Sequence, residues 1–250
     1  MDKSLLFSAA FEAASHEAER QGGIGTLAEK TLHRTLKYYF EPDRTKHEVS
    51  CLGHIADILN EEGITEIQTA SFSRLVPKLQ DFLPKQKVNV VYPIVENKKI
   101  CRVDTLSGET VSLRKSPKKG RAADALPSLA QIRSLIPNEN LSVTIVFVDA
   151  IETRMNNQTK RVGRKRTQKI DCIPTGINSI LVLNNPLDYF SVLPQDLPKE
   201  FTKSDFEKKT GFKGIDSHGS LMLLLKLGIL TREKSGGRTY TYIINKSLDK

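Results

Sequence analysis

The eight residues Val88 to Val95, VNVVYPIV, are apolar at nearly every position. A strand with one face in water would alternate, so a run like this has to be covered on both faces and belongs at the centre of a sheet flanked by helices. Val143 to Val148 makes the same demand. The segments around these two runs fit that requirement. An amphipathic opening helix ends at the glycines of Gln21-Gly22-Gly23-Ile24-Gly25, and Thr26 with Glu29 three residues later forms a capping box for a second helix, which Pro42 stops. Three β-like stretches follow, His47 to Cys51, His54 to Leu59 and Ile64 to Thr69, then a helical stripe from Ser71 to Leu83. Ile100 to Asp104 and Thr110 to Arg114 form a hairpin about Ser107-Gly108, and Asp124 to Leu135 has a helical pattern. The fold class read from this order is α/β (α+β), a mixed sheet flanked by helices.

The 250 residues carry a formal charge of +9. A basic surface raises the expectation of a polyanionic partner, nucleic acid or an acidic membrane face. Cys51, Cys101 and Cys172 lie far apart and cannot all pair, which suits a reducing compartment, and the expected location is the cytoplasm. No apolar run approaches the roughly 18 residues of a membrane span, and the first 20 residues contain acids unsuited to a signal peptide, so no membrane association is expected. Composition shifts divide the chain into an N-terminal extension (1–23), a core (24–153), a basic loop and linker (154–185) and a C-terminal domain (186–250). Between Arg154 and Lys169 there are seven basic residues and no acid, which reads as an exposed loop.

The candidate chemistry lies on the first hairpin. Asp57 and Glu66 are placed symmetrically about the turn Asn60-Glu61-Glu62-Gly63, so an unbulged hairpin closed at Asn60 and Gly63 makes them cross-strand partners on one face. Between Ile55, Ile58, Ile64 and Ile67, two carboxylates so close repel each other and are costly to desolvate unless a proton or cation lies between them. Hard oxygen ligands without thiolates suit Mg²⁺ or Mn²⁺. Gln68 follows Glu66 by the strand period of two and faces the same side. The alternative is an ordinary solvated hairpin, and for Glu29 the alternative to metal binding is its capping role. Glu48 is a reserve acid. The H-x₃-C-x₂-H grouping of His47, Cys51 and His54 lacks an evident fourth zinc ligand.

The pattern Asp57 followed by Glu66-Ile67-Gln68 resembles the D…E-x-Q form of the PD-(D/E)XK nuclease superfamily, and the segment from Gly53 to Thr69 is similar to the nuclease segment of competence-associated CoiA-like proteins. This resemblance, over roughly residues 24 to 95, implies a restriction-endonuclease-like core in which Asp57, Glu66 and Glu29 bind a divalent metal and Gln68 positions water. Gln68 stands where the family more often has lysine, and it cannot supply a positive charge. Lys78 on the following helix is a cation that could replace it.

Two basic loops, Ser116 to Arg121 with Lys118 and Lys119, and Arg161 to Arg166 with Arg161, Arg164, Lys165 and Arg166, are candidate phosphate contacts. The C-terminal segment resembles the winged-helix family: a short helix after Phe201-Thr202, a turn at Gly211, a helix from Ile215 to Leu227, and a hairpin around Ser235-Gly236-Gly237. Lys213, Asp216, Ser217 and His218 would face a DNA groove, and Arg232, Lys234 and Arg238 would contact phosphates or the minor groove. The same module can instead dock a protein partner or support a homodimer. The expectation is a Mg²⁺- or Mn²⁺-dependent endonuclease acting on DNA. A non-catalytic DNA-binding regulator or adaptor with a degenerate nuclease fold is the alternative, and RNA is a further substrate class.

Overall fold

The computed structural model describes residues 2–20, 31–104, 109–156, 167–234 and 239–245. It is a mixed α/β protein with a seven-stranded mixed sheet flanked by helices, and a separate three-stranded sheet near the C-terminus. The elements run α1 (Lys3–Arg20), α2 (Thr31–Phe40), β1 (His47–Cys51), β2 (His54–Asn60), β3 (Gly63–Ile67), α3 (Val76–Phe82), β4 (Val88–Val103), β5 (Thr110–Lys115), α4 (Leu126–Leu129), β6 (Leu141–Asn156), β7 (Thr167–Leu183), β8 (Glu200–Thr202), α5 (Lys203–Thr210), α6 (Gly214–Lys226), β9 (Leu230–Lys234) and β10 (Tyr240–Ile244). The large sheet has the order β1-β2-β3-β4-β6-β7, with β5 paired to β4.

By internal contacts the chain forms two compact units. One comprises Met1–Val49, Val95–Gly120 and Val146–Ile180. In it α1 lays Ala10 and Ala14 against Tyr38 of α2, and Glu17 on α1 pairs with Arg44 at 2.7 Å. The other comprises Ser50–Ile94, Arg121–Ile145 and Leu181–Lys250. It holds the β2–β3 hairpin, α3, the first part of β4 and all of the C-terminal elements.

In this second unit β2 and β3 are antiparallel with Ile58 opposite Thr65 and Asn60 opposite Gly63, and β3 is parallel to β4, with Glu66 opposite Val90. Val88, Val90 and Val91 are fully buried, as the apolar run requires. The segment from Ser71 is helical in two pieces, a 3-10 turn Phe72–Leu75 capped by Ser71 and then α3, whose first turn carries Pro77. Proline lacks an N–H and is tolerated where a helix starts, which is why α3 begins afresh there. Phe72, Leu75, Leu79 and Phe82 are its buried stripe.

Several elements differ from the sequence reading. Val88 to Val95 and Ile100 to Asp104 are not separate strands, because β4 continues through the polar Glu96-Asn97-Lys98-Lys99. The Asp124 to Leu135 helix is broken into a 3-10 turn Ala122–Ala125, the single turn α4 with Pro127 in it, and a second 3-10 turn Ala130–Ile132. The stretch read as a basic loop and linker (154–185) is largely strand: β6 reaches Asn156 and β7 occupies Thr167–Leu183, while residues 157–166 lie outside the described residues. β7 ends the strand order, and there Pro174 is accommodated, because an outer strand does not need every N–H in a ladder.

The C-terminal elements form the sheet β8-β10-β9, antiparallel throughout. Thr202 caps α5: its hydroxyl accepts from Asp205 N–H while the Asp205 carboxylate accepts from Thr202 N–H. Gly211 ends α5 in the left-handed conformation, and Arg121 donates to the carbonyls of Lys209 and Thr210, both at 3.0 Å. α6 lies against α4, with Gly219 so close to Ala130 that an added Cβ would sit 3.3 Å from the alanine methyl.

Gly63 closes the β2–β3 turn with φ +123°, and a Cβ there would stand 2.4 Å from the Lys87 carbonyl oxygen. Gly63→Ala is therefore expected to destabilise the protein by about 1–3 kcal/mol, read as a lower urea midpoint with an unchanged m-value. An unchanged midpoint would show that the turn can move away from Lys87.

Candidate active site on the β2–β3 hairpin

The hairpin pairing runs from Asn60–Gly63 to Ile58–Thr65, and Asp57 and Glu66 are the next residue on each strand, near enough for the Asp57 charge to act on Glu66. Asp57 is half-buried, and its Oδ2 accepts the backbone N–H of Ile67 at 2.7 Å, which fixes its carboxylate against the third strand. Glu66 is 4% exposed. Both of its oxygens accept from Lys78 Nζ, at 2.9 and 3.1 Å, and the same ammonium donates to the Ile55 carbonyl at 2.6 Å. Lys78 reaches the site because α3 follows β3 closely in the chain and packs against the hairpin, Phe82 lying edge-on to His54 of β2. Gln68 continues the parallel pairing through its N–H to the Val91 carbonyl at 2.9 Å and is half-buried.

The electrostatics follow from this placement. Burial raises the Glu66 pKa above its ordinary 4.5, the charge of Asp57 raises it further, and Lys78 works in the opposite direction without cancelling them. The site is thus two carboxylates in mutual repulsion with one ammonium holding the more buried of them.

The remaining expected residues divide clearly. Glu29, Arg161, Arg164, Lys165, Arg166 and Arg238 lie outside the described residues. Among the described residues, no group of three or more His, Cys, Asp and Glu side chains is placed to hold a metal ion. The zinc grouping is not assembled: His47 Nε2 contacts the Glu41 carbonyl at 2.8 Å and His54 Nε2 the Asp81 carboxylate at 2.7 Å. Glu48, the reserve acid, pairs with Lys37, whose side chain is 2% exposed.

Lys118 and Lys119 are exposed after β5, and Lys213, Asp216, His218 and Lys234 are exposed in the C-terminal sheet and helices. Arg232 stacks on Tyr240, its guanidinium carbon 4.6 Å from the ring centre. Ser217 is the correction: it is completely buried, because α6 turns this side inward, and its hydroxyl cannot meet a DNA groove. Glu152, which no sequence motif marks, is buried on β6 and gripped by Lys98 at 3.0 Å and Arg154 at 2.6 Å, so that despite desolvation its carboxyl is held below the ordinary range. Its position in an ordinary strand run gave no signal.

Fold and site together define a mixed α/β protein with a carboxylate pair on a sheet hairpin and a lysine that reaches it from the following helix. The chain belongs to the family described as "Domain of unknown function (DUF8091)", whose model matches residues 30–184. It is similar to an "Uncharacterized protein" of Treponema pallidum (strain Nichols), with 31% identity over 220 residues, 88% of this chain and 86% of the relative. No solved structure matches it significantly. Among the described residues, no helix is long and apolar enough to cross a membrane.

Removing the ammonium should expose the strain of the acid pair. Lys78→Met is expected to cost about 2 kcal/mol at neutral pH, since it leaves a buried carboxylate without its partner. Glu66 has a raised folded-state pKa, so its protonated form is favoured in the fold, and stability from this group is present below pH 4.5 and lost as pH rises through the folded value. The Lys78→Met penalty should therefore shrink as pH is lowered, and adding Glu66→Gln should remove most of it. Urea unfolding as a function of pH measures both effects, and a pH-independent penalty would show that Lys78 acts through packing alone.

Proposed function

We propose that this chain is a metal-dependent endonuclease with a restriction-endonuclease-like core, hydrolysing nucleic-acid phosphodiesters, DNA first among them. The observation that carries the reading is the convergence of Asp57, Glu66 and Lys78 on one hairpin next to a parallel buried strand. The element order α2-β1-β2-β3-α3-β4 supports it, since a helix, a three-strand meander, a helix and a parallel strand follow one another as the resemblance of the D…E-x-Q motif leads one to expect. Lys78 answers the weakness of Gln68 in that motif by bringing a fixed positive charge to the carboxylates from the next helix.

The donor set fits a hard divalent cation. Asp57 and Glu66 offer clustered carboxylate oxygens with no thiolate among them, and their mutual repulsion favours a cation between them. Glu29 is the third acid on this reading. The chemistry that Mg²⁺ or Mn²⁺ supplies in such a site is Lewis-acid activation of water and charge stabilisation at the phosphate. The protein's own groups do the rest: the Ile67 N–H orients Asp57, Gln68 orients water through its amide, and Lys78 offsets negative charge that grows on the phosphate during attack. The C-terminal module, read as a winged helix, contributes nucleic-acid affinity through Lys213, His218, Arg232 and Lys234 or serves as a docking site for a protein partner.

The second reading, a DNA-binding adaptor or regulator without cleavage, is favoured by one observation: both Glu66 oxygens are already engaged by Lys78. Plasmid and single-stranded substrates of both DNA and RNA, with Mg²⁺ or Mn²⁺, separate the two. The nuclease reading expects metal-dependent cutting that is abolished in Asp57→Ala and Glu66→Ala and reduced about 100-fold or more in Lys78→Met, with folding matched by circular dichroism. Nucleic-acid binding without cutting on any substrate favours the adaptor.

A further inference from the structure

We infer a phosphodiester-binding site on the β4–β5 ribbon, centred on Lys99 and Lys115 and remote in sequence from the hairpin acids; it rests on the proposal that the chain binds nucleic acid. The two lysines are direct cross-strand partners in the antiparallel pairing of β4 with β5. Side chains in that relation have Cβ atoms roughly 4.5 to 5.5 Å apart, and like charges there destabilise the pairing. Both are exposed, and neither side chain makes a hydrogen bond or ion pair among the described residues beyond the backbone pairing of the strands. An arrangement that repels itself in the free protein becomes favourable once an anion bridges the two ammonium groups.

A cleft of about 430 Å³ opens beside the pair, and its lining supplies the rest of the site. It is bounded by Asn97, Lys98 and Lys99 of β4, Lys115 of β5, Asp149 to Ile151 of β6 and Thr175 of β7. Lys98 is committed elsewhere, its Nζ lying 3.0 Å from Glu152. Asp149 is also engaged: its Oδ1 accepts from the Asn97 backbone and side-chain N–H groups and from the Asn178 amide. The charge free to meet a ligand is therefore that of Lys99 and Lys115.

That balance also selects the ligand. Asp149 and Glu96 share the Asn178 amide, each at 2.7 Å, so two carboxylates offset the two ammonium groups, and a singly charged backbone phosphodiester suits the site better than the higher charge of a free phosphate at neutral pH. The chain beyond the pair continues the same character, with Lys118 and Lys119 exposed in the loop after β5. A polynucleotide strand can follow such a row, whereas a small phosphate uses only the cleft.

The test is binding of the full chain to a fluorescent 20-base-pair duplex, with chelator present to prevent cutting, across a range of salt concentrations. Lys99→Gln/Lys115→Gln is expected to weaken binding about tenfold or more and to reduce the slope of log K against log salt by about 1 to 2, since each phosphate contact accounts for about 0.9. Lys99→Arg/Lys115→Arg should retain both affinity and slope. Unchanged affinity and slope in the glutamine variant would overturn the site while leaving the nuclease proposal standing. A wild type that binds no nucleic acid would overturn both. Inorganic phosphate is the competing arm: if the glutamine variant loses phosphate binding yet keeps duplex binding, the polynucleotide occupant is overturned.

Discussion

A buried carboxylate beside a second carboxylate is the constraint on which this structure turns. Glu66 sits almost without solvent between apolar strands, with Asp57 across the hairpin raising the cost of its charge. A fold can tolerate that arrangement by protonating one carboxyl or by supplying a compensating charge, and Lys78 supplies that charge. Its second bond, to the Ile55 carbonyl, ties α3 to β2 as well as to β3. The helix is thereby registered against the hairpin by polar contacts on one side and by Leu79 and Phe82 on the other. Well-packed hydrophobic residues would stabilise such a core at least as well as an ion pair. On the nuclease proposal the acids serve chemistry more than stability.

The C-terminal module shows a related economy. α6 has two duties, since Ser217, Ser220, Leu221 and Leu224 are buried while Lys213, Ile215, Asp216 and His218 are exposed at its start. Gly219 permits the close approach to Ala130, and Arg121 fastens the end of α5. A helix held this way offers a ligand only its first turn and the neighbouring β9–β10 ribbon. On the DNA-binding reading, recognition by this module therefore falls on few side chains, and the larger basic surfaces carry more of the affinity.

Much of this could be read in the sequence where local chemistry and tertiary structure agree. The Asn60–Gly63 turn set the hairpin register, Pro42 ended the helix before it, and Phe201-Thr202 marked the start of α5. The two apolar runs became the buried middle of the sheet. The readings failed where the signal is non-local. β7 begins polar and contains Pro174 and Gly176, so its strand character comes from pairing with β6 and not from its own pattern. The burial of Ser217 depends on α4, nearly ninety residues earlier, and the engagement of both Glu66 oxygens by Lys78 depends on how far α3 swings back. The Lys99–Lys115 pairing likewise appears only when β4 is seen to continue past Val95.

The central claim is that Asp57 and Glu66 form a cation site, and the most direct measurement is Mn²⁺ binding followed by electron paramagnetic resonance over a range of pH. The account predicts that the wild type binds Mn²⁺, that Asp57→Asn and Glu66→Gln each weaken binding about tenfold or more, and that affinity falls with pH as protons compete for the raised-pKa Glu66 carboxylate. Equal Mn²⁺ affinity in the wild type and in both variants would contradict it and leave the acid pair a structural feature of the hairpin.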